Sequence, residues 1–132
     1  MSRNDTFIIN GKNITGIASF YIEVNRVFMQ NETWKIAQSL DAFNDLLYGG
    51  FGSIGNSNTI EIIWLDIELS RKALGYEATK QYYLAKLEPG SAFNKELFTE
   101  KLYRLEHGKG QTYFDIVLEI IAAHGNISLS RK

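Results

Sequence analysis

The chain has 132 residues, 45% of them hydrophobic and 22% charged, which suits one domain with one core and is too apolar for a disordered segment. The absence of cysteine excludes a disulfide scaffold, a thiol nucleophile and a thiolate metal site, and two histidines, His107 and His124, leave little for a zinc centre or a histidine triad. Fourteen basic residues against fifteen acidic ones give a net charge of −1, which argues against a polycationic nucleic-acid binder.

Thr6 to Asn10 is a short, partly β-branched apolar run ended by Asn10-Gly11, and it reads as a buried strand. A helical period follows in Ile17, Phe20, Val24, Val27 and Phe28, with Ser19 as the expected N-cap. Residues 31–38 are irregular and lead into a second helix, Leu40 to Tyr48, stopped by Gly49-Gly50. A Gly-, Ser- and Asn-rich loop to Asn58, expected to be mobile, precedes the strongest strand signal, Thr59 to Leu65. Short helices are expected at Asp66–Leu74, Glu77–Leu87 and Ala92–Leu105, the last two separated by Glu88-Pro89-Gly90. Thr112 with Asp115 forms a capping-box start for a final helix to His124, apolar around much of its circumference, and Ile127–Ser130 is a closing strand.

Strands separated by helical crossovers predict an α/β fold, a small three-stranded parallel sheet with helices packed on it, in a single domain over residues 1–132. No run approaches the ~20 apolar residues that span a bilayer. The polar start, with Arg3 and Asp5, is unlike a secretory signal, so a cytoplasmic location is expected.

Gly50-Phe51-Gly52-Ser53-Ile54-Gly55 matches the dinucleotide pattern Gly-x-Gly-x-x-Gly. That motif must leave a strand and open a helix to place amide groups on a pyrophosphate, and here it leaves a helix and enters a strand. No cofactor is expected there. Asp41 and Asp45 share the outer face of the second helix with Gln38, Asn44 and Tyr48, opposite Leu40, Phe43, Leu46 and Leu47. A solvated acidic face and a two-carboxylate metal site are both open from this pair alone, although no third ligand stands at suitable spacing. His107 and His124 have no evident acidic or serine partner in sequence, and Tyr82, Tyr83, Tyr103 and Trp34, which could stack on bases, read as core or packing residues.

The charge is unevenly spread. Residues 31–70 hold six acidic residues against Lys35 alone, a net of −5, while residues 1–30 and 71–132 carry +1 and +3. An acidic helix beside a loop with an exposed Phe51 looks like a surface for a basic protein partner.

Phe7-Ile8-Ile9-Asn10-Gly11-Lys12-Asn13-Ile14 and Ser39-Leu40-Asp41-Ala42-Phe43-Asn44-Asp45-Leu46-Leu47-Tyr48-Gly49-Gly50 resemble the opening strand and signature second helix of the barstar family of bacterial ribonuclease inhibitors. The strand ending in Trp64 and the segment from Phe114 to Leu129 match it in order and spacing. Region 76–111 is longer than in the small inhibitors and resembles a longer branch with an inserted helical segment, in which Ser70-Arg71-Lys72-Ala73-Leu74-Gly75-Tyr76 and Tyr113-Phe114-Asp115 recur.

The resemblance implies a non-enzymatic inhibitor of a ribonuclease, or an immunity protein for a ribonuclease toxin, with no catalytic, cofactor or metal residues. Asp45 would enter the cationic active site, helped by Asp41, with Asn44, Tyr48, Gln38, Trp34 and Phe51 completing the contact surface. Direct binding of nucleic acid or membrane is not expected. Two departures imply a cognate nuclease of its own or a toxin of another class. Lys35-Ile36-Ala37 stands where the family often has Tyr-Tyr-Gly, and Glu119 is the nearest match to the acid of the last helix, whose aligned position is closer to Ile120. The competing readings are a metal-dependent phosphoryl-transfer enzyme using Asp41 and Asp45, and a scaffold for a basic partner that is not a nuclease.

Overall fold

The computed structural model describes residues 3–132, in which three parallel strands and six α-helices form an α/β fold. Strands β1 (Asn4–Asn10), β2 (Thr59–Leu65) and β3 (Ile127–Arg131) lie in the order β1-β2-β3, so β2 is central and both outer strands are edges. The register sets Phe7 opposite Ile62 and Ile62 opposite Leu129, with Ile9 opposite Trp64. Alternation puts these residues on one face, where Ile9, Ile60, Ile62 and Trp64 are buried.

The other face carries Ile8, which is 50% exposed, and Leu65, which is also exposed. The expectation of a buried first strand is therefore corrected. β1 is an edge strand buried from one side, because consecutive apolar residues in a strand point to opposite faces and only one face here is well covered.

Helix α1 (Ile17–Phe28) follows a single 3-10 turn at Gly11–Asn13. Its N-cap is Gly16 and not the expected Ser19. Ser19 instead sits one turn inside, and its Oγ accepts from the N–H groups of Thr15 and Gly16 at 2.7 and 3.0 Å. The hydroxyl still satisfies donors at the helix start, but it reaches back to them from within the helix.

Phe20, Val24 and Phe28 face the core, and Phe20 stacks on Trp64 with ring centroids 6.2 Å apart. Glu23, 1% exposed, is the one acidic residue drawn into this face. Its carboxylate accepts from Arg26 twice at 2.7 Å, from the Asn10 N–H at 2.7 Å and from Asn13 Nδ2 at 3.0 Å. Burial pushes the Glu23 carboxyl up, but those donors outweigh it and hold its pKa below the usual value.

α2 (Leu40–Tyr48) and β2 occupy the residues expected of them. α3 (Ile67–Ala73) and α4 (Tyr76–Lys86) follow, then α5 (Lys95–Glu106). α5 starts three residues later than expected because Asn94 caps it, its Oδ1 accepting the Leu97 N–H at 3.1 Å. α6 (Tyr113–Ala122) opens on the anticipated reciprocal cap. Thr112 Oγ1 accepts the Asp115 N–H at 3.2 Å, and Asp115 Oδ2 accepts the Thr112 N–H at 3.0 Å.

The helical segment 76–111 packs back through α4. Thr79 Oγ1 accepts the Tyr113 N–H at 2.7 Å, and the Tyr82 and Tyr113 rings meet at 5.1 Å. Tyr113 in turn places its hydroxyl 2.6 Å from that of Tyr21, tying α6 to α1 inside the core. No helix among the described residues is long and apolar enough to cross a membrane.

Candidate functional site

α2 begins where Ser39 Oγ accepts the Ala42 N–H at 3.0 Å. With Phe43, Leu46 and Leu47 buried, the helix is fixed in rotation and presents Asp41, Asn44, Asp45 and Tyr48 outward. Asp41 and Asp45 are exposed, Tyr48 is 76% exposed and Asn44 is half-buried. Four of the seven predicted contact residues thus share one face. None of these carboxylates is in an ion pair among the described residues. Both are therefore free to meet a cation.

Gln38 is not on that face. It lies in a bend before the helix, where the Ser39 N–H donates to the Ala37 carbonyl at 2.9 Å, and lines a separate cleft of about 700 Å³ with Trp34, Ile36 and the outer side of α1. The helical projection fails for it because the cap at Ser39 ends helical geometry one residue after it.

Phe51 is half-buried, which corrects the expectation of an exposed ring. It packs on Trp34 at 5.2 Å between centroids, and Trp34 keeps 48% of its surface exposed. Trp34 and Phe51 are thus brought together as one aromatic unit, and Trp34 supplies its open side.

The loop that carries Phe51 is cross-tied, contrary to the mobile connection expected from its glycines. Gly49 ends α2 with φ +89°, and the Gly50 N–H donates to the Gly55 carbonyl at 2.8 Å. The Gly52 N–H donates to Glu32 Oε2 at 2.8 Å, and the Ser53 N–H to the Phe28 carbonyl at 2.7 Å. Gly52 has φ +67°, and a Cβ there would stand 2.6 Å from the Phe28 oxygen. Its glycine is dictated by that close approach to the end of α1. The glycines shape a fixed turn, so composition alone misjudged it.

Three further groups complete the surroundings of α2: His124, whose partner was not evident in sequence, and two residues not singled out there. His124, at the end of α6, is 7% exposed, and its Nε2 lies 2.8 Å from Asn44 Oδ1. The Tyr48 ring meets the imidazole edge-on at 4.5 Å. Burial holds the His124 pKa below its ordinary value. The other two, Lys101 of α5 and Gln111, line a groove of about 400 Å³ with Leu40, Asp41, Asn44 and residues of α6. Gln111 Nε2 donates to Glu119 Oε2 at 2.5 Å on the same groove. No local pattern announces these contacts, since His124 and Asn44 are 80 residues apart.

His107 is exposed and stacks on Tyr103 at 3.9 Å, away from any carboxylate pair. Among the described residues, no three His, Asp or Glu side chains converge to hold a metal ion. Chemically, the outer face of α2 offers two unpaired carboxylates, an amide and a phenol on a helix anchored by its buried inner face. No family model, no curated protein and no solved structure matches the chain.

Proposed function

We propose that the chain is a barstar-like inhibitor of a ribonuclease, an immunity protein that blocks a cationic active site and catalyses nothing. The observation that carries this reading is the pair Asp41 and Asp45, exposed and unpaired on the outward face of a helix whose rotation is fixed by Phe43, Leu46 and Leu47. A ribonuclease site is cationic because it must hold phosphodiester oxygens. A rigidly held carboxylate can stand in for that phosphate at little cost in conformational entropy.

The proposed contact surface comprises Asp45 as the principal plug, with Asp41, Asn44 and Tyr48 beside it on α2. The aromatic pair Trp34 and Phe51 and the adjoining Gln38 extend it. The local net charge of −5 over residues 31–70 would steer a basic partner toward it. A cytoplasmic location suits an inhibitor that protects its own cell.

The test is capture of a ribonuclease from the lysate of the encoding organism on the immobilised chain, followed by RNA cleavage with and without free inhibitor. Retention of a basic ribonuclease whose cleavage the free chain suppresses at a 1:1 ratio is expected. Asp45→Ala is expected to weaken binding by about 30-fold or more, as for a buried hot spot. Retention of a basic protein without nuclease activity, or hydrolysis of a phosphate ester by the chain with Mg²⁺, would overturn the reading.

A further inference from the structure

The helical segment 76–111 reaches the N-terminal half of α2 through Lys101 and Gln111. Lys101 of α5 and Gln111 form one wall of the groove whose other walls are Leu40, Asp41 and Asn44 of α2 and Ile116, Glu119 and Ile120 of α6. Its lining combines apolar Leu40, Ile116 and Ile120 with charges of both signs, Asp41 and Glu119 together with Lys101. Lys101 is half-buried and has no hydrogen bond or ion pair among the described residues. Glu119 is already held by Gln111, which fixes its carboxylate on the groove. Lys101 thus brings an unpaired cation into the groove that also carries Asp41, where its three donors are available to a partner's acid.

We infer that the inserted segment is part of the partner-binding surface, and that Lys101 receives a carboxylate of the ribonuclease lying beside the basic group taken by Asp41 and Asp45. This rests on the inhibitor reading and assigns the inserted segment a role in choosing the target. A basic active site flanked by an acidic residue fits the groove. A uniformly basic surface meets Lys101 with like charge and is rejected. Asp45, one turn further along α2, lies outside the groove and is left as the unshared plug.

The experiment measures the affinity of the ribonuclease retained from the host lysate for wild type, Asp45→Ala, Lys101→Glu and Lys101→Met, with the melting temperature of each variant as a check on folding. Lys101→Met keeps the aliphatic stem that covers the groove, so it remains readable if charge reversal disturbs the fold. Lys101→Glu is expected to weaken binding by about tenfold or more and Lys101→Met by about threefold. The Lys101→Glu loss should be recovered when the facing acidic residue of the ribonuclease is changed to lysine. If Asp45→Ala weakens binding while both Lys101 variants bind as wild type, the inserted segment lies outside the interface and this inference is overturned, with the inhibitor reading intact. If no ribonuclease is retained, or Asp45→Ala binds as tightly as wild type, the inhibitor reading itself falls and this inference falls with it.

Discussion

The imidazole of His124 sits 2.8 Å from the side-chain oxygen of Asn44, so a residue buried at the end of α6 holds a residue on the outward face of α2. The same ring braces Tyr48 edge-on. The candidate surface is therefore positioned from behind by a titratable group, and this makes its behaviour with pH specific.

Burial lowers the His124 pKa in the folded chain relative to about 6.5 in the unfolded one. The unfolded state therefore takes up the proton first as pH falls. The stability contributed by neutral His124 is complete above pH ~6.5 and is lost as pH drops from there through the folded pKa. Denaturant titrations from pH 8 to 5 should show stability falling, by at most ~1.4 kcal/mol per pH unit for one proton. His124→Gln should remove that slope. A pH-independent wild type over this range would contradict the buried placement.

Glu23 acts in a lower window. Its folded pKa is depressed below 4.5, so its contribution is present above that value and is lost as pH falls through the folded pKa. Glu23→Ala removes the acceptor of the Asn10 N–H and of Asn13, and frees Arg26, which is already partly solvated. A loss of about 2–3 kcal/mol is expected, from charge-assisted bonds broken at a buried site. Chemical denaturation at pH 7 measures it. Arg26→Ala should cost less, since it leaves the other two donors in place.

The hydroxyls of Tyr21 and Tyr113, 2.6 Å apart in the core, provide a test of non-additivity. Burial raises the pKa of both, so neither ionises in the physiological range. Tyr21→Phe strands the Tyr113 hydroxyl in the core and should cost about 1–2 kcal/mol. The double change Tyr21→Phe/Tyr113→Phe removes both polar groups and should cost no more than the single one. A double-mutant cycle with additive losses would show that the two hydroxyls are not partners.

Asp45 should separate stability from binding. It stands four residues from Asp41 on the same helix, where like charges cost about 0.2–0.5 kcal/mol. Asp41 faces the positive end of α2 and Asp45 does not. Asp45→Asn should therefore melt slightly higher than wild type while, on the proposed inhibitor reading, weakening binding of the ribonuclease. A lower melting temperature would mean that the carboxylate is held internally.

Gly52→Ala should be costly on both counts. The added methyl group meets the Phe28 carbonyl at 2.6 Å in a backbone with φ +67°. A loss of about 2 kcal/mol is expected, together with displacement of Phe51 from Trp34. Thermal melting reads the first effect and indole fluorescence the second. Unchanged values in both would show that the loop relaxes freely.

The sequence was most readable where a local signal has one physical meaning. α2 lies between a serine cap and a double glycine, β2 is a dense β-branched run, and the Thr112–Asp115 box can only open a helix. Asp41 and Asp45 fell on one face because the helical period was unbroken between the caps. What could not be read depends on distant partners. Phe51 is half-buried because Trp34 covers it, and Ile8 is half-exposed because its sheet face lacks cover. Gly52 is held by Glu32 and the end of α1, and Ser19 yields the cap position because Gly16 precedes it at the helix entry. Phe51, Ile8 and Gly52 were decided by tertiary contact over a local preference, whereas Ser19 was displaced by the local geometry of the helix entry.

The Phe114 N–H donates to the Leu74 carbonyl at 3.0 Å, so the chain departs for α4 and returns from α5 at the same point. The helical hairpin between them is one contiguous excursion of the chain, anchored to the core where Thr79 and Tyr82 of α4 meet Tyr113. Changes of length at the connection between α4 and α5 leave the strand order and those anchors in place, at an entropic cost that grows only slowly with the added length. A fold built this way can vary one contiguous stretch of chain while the acidic helix stays as it is.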